Sequence, residues 1–209
     1  MQKLITIEVI ILLVQIVLYF GCELFQHDYR DVMSSIDDMI PFIPAFALVY
    51  MLWFPLIALY PIGLYPVSAY DYTVYQISIL ISIFTSTIIY VLFPTKFERP
   101  EPGNHGAGRL MRVIYRCDFK GSNCSPSLHC TQCFIIMASA FLCPRINGVS
   151  ETFVVVITAM IVLSTLMTKQ HALRDVATAI PTAIWSYAAG FLITNHFGFQ
   201  TILSAVGII

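Results

Sequence analysis

Apolar residues fall along this chain in long unbroken runs, without the alternation of a strand or the one-sided stripe of a soluble helix. A helix needs about 20 predominantly apolar residues to cross the hydrocarbon core of a bilayer. Six stretches read as such helices, over about 3–24, 40–64, 72–93, 127–143, 150–168 and 175–195. The fourth is short, and the sixth carries an interfacial extension towards Ile209. Pro55 and Pro61 interrupt the second, which a membrane helix tolerates where neighbours satisfy the freed carbonyls. Tyr60, Tyr65, Tyr70 and Tyr72 crowd its end and read as an aromatic belt at the membrane boundary. The expected fold is an all-α six-transmembrane-helix bundle, a single integral membrane domain over 1–209 without internal repeats.

The polar material collects in three segments, 25–39, 94–126 and 168–175, which six crossings place on one face. Composition agrees: 58% of the residues are hydrophobic and 11% charged, against roughly 25% charged in soluble domains. The net charge of −1 and the lack of a polybasic run set nucleic-acid binding aside. At the N-terminus, Lys3 and the apolar run after it precede no small-x-small cleavage site, so the first helix is read as uncleaved.

Cys130-x-x-Cys133 has the spacing of a zinc half-site, but no second pair accompanies it and it lies within an apolar stretch. Buried thiols are the plainer account, and no metal or cofactor is expected. Cys117 and Cys124 lie in a polar loop and can pair if it faces an oxidising compartment.

Three pieces at helix ends carry candidate chemistry. His171 and Asp175, four residues apart, share one face if the sixth helix has begun there. A carboxylate so placed accepts the imidazole Nδ1 proton and leaves Nε2 free as a nucleophile. Pro126, Ser127 and His129 open the fourth helix, where free N–H groups and the helix dipole favour an anion. Arg99, in Phe93-Pro94-Thr95-Lys96-Phe97-Glu98-Arg99-Pro100, supplies a planar group for phosphate oxygens. Each piece alone has a plainer account: interfacial polar residues, an N-cap serine, a solvated basic loop. That plainer account is kept for Arg109, Arg112, Arg116 and Lys120. His27, His105 and His196 show no partner pattern, and Gly103-x-x-Gly106-x-Gly108 is not a phosphate loop, lacking a following Lys-Ser/Thr.

Together the three pieces resemble the signatures of the type-2 phosphatidic acid phosphatase superfamily. Arg99-Pro100 matches the end of the first signature, Pro126-Ser127-Leu128-His129 the Pro-Ser-Gly-His of the second, and Ser164-Thr165-x5-His171-x3-Asp175 the Ser-Arg-x5-His-x3-Asp of the third. The run Ile40-Pro41-Phe42-Ile43-Pro44, with Tyr50 and Trp53, looks like bacterial branches on the sphingolipid-transferase side. The resemblance covers about 40–176. It departs at Leu92, Leu128 and Thr165, where the signatures have lysine, glycine and arginine; Lys96 and Lys169 are the nearby cations.

The resemblance implies an active site at the membrane interface and a metal-free double displacement. His171 attacks phosphorus, Asp175 stabilises the charged imidazole, and His129 protonates the leaving oxygen. Arg99, Ser127, Lys96 and Lys169 hold the phosphate. The expected activity is a lipid phosphatase acting on a lipid phosphate or diphosphate. The alternatives are a phosphotransferase moving a phospho-headgroup to a lipid alcohol and a non-catalytic lipid-binding or transport protein on the same scaffold. The implied partners are a lipid phosphate substrate and membrane lipids; the oligomeric state is left open. Nine Lys and Arg residues lie on the candidate face and two, Lys3 and Arg145, on the other. That bias puts the face in the cytoplasm. Lys3 ahead of the first helix, phosphate binding as a separate reason for the cations, and the resemblance put it outside, which is the expectation taken: a bacterial plasma membrane with an extracytoplasmic catalytic face.

Overall fold

The computed structural model describes every residue except His105 and Phe119. It is a helical bundle with the make-up of a membrane protein. Along the chain run α1 (Gln2–Gly21), β1 (Arg30–Asp31), α2 (Ser35–Met39), α3 (Ala47–Met51), α4 (Trp53–Val67), α5 (Ala69–Leu92) and β2 (Thr95–Lys96). Then come α6 (Ala107–Cys117), α7 (Leu128–Leu142), α8 (Gly148–Met167), α9 (Leu173–Phe197) and α10 (Phe199–Ala205). Five helical stretches are long and apolar enough to cross a membrane: Gln2–Phe25, Pro44–Val67, Ala69–Leu92, Gly148–Met167 and Leu173–Phe197. α7, expected as the fourth crossing, is apolar but has 15 residues, fewer than the roughly 20 of a full crossing.

Local chemistry sets the breaks. Pro55 has no N–H to return to the Met51 carbonyl, and the helix is interrupted at Leu52, between α3 and α4. Ser68 caps α5 by accepting from Asp71 N at 3.2 Å. Gly198, at φ +78°, turns the chain out of α9 into α10 instead of extending it.

α5 and α9 form the centre. They approach closely because Gly190 has no side chain: a Cβ there would overlap Ser78 Oγ and lie 2.8 Å from Val74 O. α8 buries Thr158, Ile161, Ser164 and Thr165 along one stripe and leaves Phe153, Val156, Met160 and Leu163 outward. That is the division expected of a helix with lipid on one side. Past its first turns α1 directs two polar side chains inward: Gln15 accepts from Gln132 of α7 at 2.7 Å, and Glu8 accepts from Tyr72 and Gln76 of α5. This corrects the belt reading for Tyr60 and Tyr72. Tyr72 is buried against Glu8, and Tyr60 donates to Ser139 Oγ at 3.1 Å.

The segments expected as loops are more ordered than that. Residues 25–39 contain α2, and 94–126 contain β2 and the amphipathic α6, which packs Met111 and Ile114 on Ala47 and Tyr50 of α3. The ends of α1, α5 and α8 and the beginnings of α3, α7 and α9 meet at one end of the bundle, and backbone pairing ties the segments there. β1 runs parallel to β2, pairing Arg30 with Thr95 and Asp31 with Lys96, and Lys96 bridges to Ser122. Val32, Phe97, Cys124 and Ala172, drawn from all three joining stretches, form a small apolar cluster beneath them.

Candidate functional site

α7 and α9 begin side by side, joined by Ser127 N donating to Asp175 O at 3.1 Å. Tyr90 of α5 holds the same corner, its hydroxyl donating to Pro126 O at 2.6 Å. This geometry brings His129, on the first turn of α7, next to His171, just ahead of α9; their ring centroids lie 5.6 Å apart.

His171 is buried and held by Nδ1. The nearest acceptor is the Cys124 carbonyl at 3.1 Å, with Asp175 Oδ2 at 3.5 Å. The i,i+4 relationship thus places the carboxylate near the ring, but the backbone carbonyl makes the better hydrogen bond. Asp175 Oδ2 also accepts from Ala172 N at 2.8 Å and so caps α9. Among the described residues, His171 Nε2 has no protein partner. The main chain around the histidine is fixed by Thr165 O, which accepts from both Gln170 N and His171 N.

His129 sits in an aromatic bracket. The Trp53 ring is 4.1 Å and the Tyr50 ring 4.8 Å from its centroid. Its Nε2 is 2.8 Å from the Tyr50 hydroxyl.

Arg99 is the cation at the site. Its Nη2 donates to Asp118 Oδ2 at 2.6 Å, and the guanidinium lies over Tyr115 at 5.1 Å. Burial disfavours its charge, but the Asp118 carboxylate outweighs burial, so Arg99 titrates above its ordinary value and stays protonated. Gly121, at φ +59°, lets the chain pass against this guanidinium, with a virtual Cβ only 3.5 Å from Cζ.

These groups line one cavity of about 370 Å³. His129, His171 and Arg99 are at its polar end; Ile16, Phe20, Met51 and Phe54 form an apolar side whose residues are themselves exposed on the bundle surface. Three buried polar atoms of lining residues have no partner among the described residues: Trp53 Nε1, Arg99 Nε and Gln170 Nε2. All three are N–H donors. Buried donors without acceptors are costly, and three in one cavity make it a place for an anion.

Other expected phosphate ligands are placed elsewhere. Ser127 is fully buried, and its Oγ caps α7 by accepting from Cys130 N at 3.2 Å; it does not line the cavity. Lys96 is exposed, 5.9 Å from the Tyr29 ring. Lys169, at φ +49°, turns away and donates to Asp37 O at 2.5 Å. Of the basic residues read as a solvated loop, Arg109 and Arg116 are exposed, Arg112 donates to Pro102 O at 3.0 Å, and Lys120 reaches Glu23. His27 and His196 are exposed and outside the cavity, and His105 lies outside the described residues.

All six cysteines are free. Cys124 is buried, with its thiol donating to Gly121 O at 3.4 Å, so it does not pair with the exposed Cys117. Cys130 and Cys133 are buried in α7, and among the described residues no group of three or more His, Cys, Asp or Glu is arranged to hold a metal.

Sequence reasoning passed over Asp118, Gln170 and Asp37. Asp37 pins the His171 loop from the far side: Oδ1 accepts from Leu173 N at 2.7 Å and Oδ2 from Ser34 N at 3.0 Å. Burial pushes its carboxyl up, but the Ser34 hydroxyl, these N–H groups and Lys169 outweigh that and hold it below the usual carboxylate value. The only signal in the sequence was Ser34-x-x-Asp37 ahead of a short helix.

Comparison of the chain with protein-family models, with curated proteins and with solved structures finds no match.

Proposed function

We propose that this protein is a membrane lipid phosphatase that hydrolyses a lipid phosphate or diphosphate through a phosphohistidine on His171. The observation that carries the reading is the cavity itself: two imidazoles 5.6 Å apart among buried N–H donors that lack acceptors, opening onto an apolar wall. A lipid phosphate satisfies both halves. Its oxygens meet Arg99, Gln170 and Trp53, and its chain lies along Ile16 and Phe54.

His171 Nε2 attacks phosphorus as the bond to the lipid oxygen breaks, and the His129 side supplies the proton to that oxygen. Water then attacks the phosphohistidine, gives its proton back to the His129 side, and releases phosphate. The Cys124 carbonyl and Asp175 face Nδ1 and stabilise the positive charge that the ring gains. α7 completes a sixth crossing in this reading, and the catalytic face is extracytoplasmic.

One observation favours a second reading, transfer of a phospho-headgroup to a lipid alcohol. Arg99 is already matched by Asp118, and Lys96 and Lys169 are directed elsewhere. The cavity therefore offers neutral donors more than net positive charge, which suits a singly charged phosphodiester better than a dianionic monoester.

Purified protein in mixed micelles, given lipid monophosphates, diphosphates and phosphodiesters with and without an added lipid alcohol, tests both. Release of inorganic phosphate supports hydrolysis; a product that appears only with the alcohol supports transfer. If neither exceeds the His171→Ala background, both readings fall.

A further inference from the structure

The His129 ring, read as the acid for the leaving group, does not have its Nε2 free. That nitrogen is 2.8 Å from the Tyr50 hydroxyl. The ring cannot readily swing away from it, because Trp53 packs at 4.1 Å and 43°, and Phe54 closes the next side edge-on at 6.5 Å. Tyr50 is itself held: it is buried, and Ala47, Met111 and Ile114 pack around it. Tyr50, His129 and His171 line the same cavity. A nitrogen engaged with a phenol cannot at the same time donate to a substrate oxygen, whereas a phenol can accept from one side and donate to the other.

We propose that Tyr50 is a catalytic residue that relays the proton between His129 Nε2 and the substrate oxygen. The proposal rests on the phosphohistidine reading above. In the first half-reaction the His171 Nε2–P bond forms and the P–O bond to the lipid breaks. The Tyr50 O–H proton moves to the leaving oxygen, and the His129 Nε2 proton moves to the Tyr50 oxygen. The products are a lipid alcohol, a phosphohistidine and a neutral His129. In the second half a water proton passes to the Tyr50 oxygen, the Tyr50 proton returns to His129 Nε2, the water oxygen bonds to phosphorus and the P–N bond breaks. Both residues end as they began.

The test compares single-turnover release of the lipid product from two substrates, one lipid phosphate and its analogue with sulfur as the bridging atom. A thiolate leaves without a proton, so only the oxygen ester needs the relay. Tyr50→Phe keeps the ring and its packing. It is expected to slow the oxygen ester by about 10²–10⁴-fold, the range of a lost general acid, and the sulfur ester by less than about threefold. Tyr50→Phe/His129→Ala is expected to be no slower than His129→Ala alone on the oxygen ester. Equal slowing of both substrates by Tyr50→Phe, the mark of mere misplacement, overturns the relay, as does a rate on the oxygen ester within twofold of wild type. A proton inventory on the unaltered protein gives a second reading: a bowed dependence on deuterium fraction is expected, and a straight line overturns the relay. Undiminished turnover in His171→Ala overturns the phosphohistidine and the relay together. Loss in His171→Ala with none in Tyr50→Phe removes the relay alone.

Discussion

Asp118 holds Arg99 by an ion pair of 2.6 Å at the edge of the cavity that contains both histidines. A phosphate entering that cavity must share the guanidinium with a carboxylate already bound to it. The ion pair orders Arg99 at the expense of its attraction for a second anion. Asp118→Asn keeps an acceptor for Tyr19, which donates to it at 3.2 Å, while removing the charge. The KM for a dianionic lipid monophosphate should fall by about threefold to tenfold, since removing one nearby unit charge, screened by solvent at a part-exposed carboxylate, is worth about 1 kcal/mol. The KM for a phosphodiester should change less. A KM for the monophosphate that rises, with turnover intact, would show that ordering Arg99 matters more than its net charge.

The three groups at the centre should be separable by their kinetics. His171→Ala and His129→Ala are expected to lower turnover by about 10³-fold or more, and Asp175→Ala strongly but less, because the Cys124 carbonyl still holds Nδ1. His27→Ala and His196→Ala, both exposed and away from the cavity, should stay within twofold of wild type in the same assay. Retention of phosphate release by His171→Ala would disprove the nucleophile.

Asp37 ties stability to acid pH. Its carboxyl is held below the usual value in the folded protein, so its contribution is full above the unfolded value of about 3.9. It is lost as pH falls through the lower folded value. Asp37→Asn should lower the thermal midpoint in detergent at pH 7, by the equivalent of about 1.5–3 kcal/mol for lost charge-assisted hydrogen bonds. The gap between variant and wild type should close only as pH drops below about 4. A gap that persists unchanged to the most acidic pH at which both proteins fold would mean that the carboxylate charge is not what matters there.

Cys117 is the one exposed thiol of six, and it lies at the end of the bundle that carries the cavity. An impermeant maleimide applied to intact cells should therefore label the unaltered protein at a single position if the catalytic face is extracytoplasmic. Labelling only after lysis would place the face in the cytoplasm, as the count of basic residues suggests.

The bundle was largely legible because membrane helices announce themselves by length and apolarity, as α5, α8 and α9 do. Their ends were read to within a few residues. The amphipathic α6 was not seen, because its apolar positions alternate with three arginines over only 11 residues, in a segment otherwise rich in glycine and proline. Tyr60 and Tyr72 were misread because a boundary belt and a buried seam have the same composition; only their partners, Ser139 and Glu8, separate the two. At the site, spacing brought out His171, Asp175, His129 and Arg99 because each recurs in a recognisable pattern. Gln170 and Asp118 had no such pattern, and Trp53 stood out only beside Tyr50 in the resemblance, without a role. Their relevance comes from which atoms are left unpaired in three dimensions. Lys169 and Ser127 show the converse error: suitable chemistry beside a key residue, but turned to Asp37 and to the α7 backbone.

The joining of the segments at one end of the bundle also bears on when the protein becomes competent during synthesis. Arg99, His129 and His171 are far apart in the chain, and the last is oriented by Cys124, Thr165 and Asp37 together. On the phosphohistidine reading, a ribosome-bound chain that has emerged only as far as α8 has Trp53, Arg99 and His129 but neither Gln170 nor the nucleophile. Residue 171 arrives with the start of α9, which seats against α5 where its own Gly190 leaves room for Val74 and Ser78. On that reading, competence is gained in a single late step, when α9 docks, and a chain stalled before that point lacks the nucleophile.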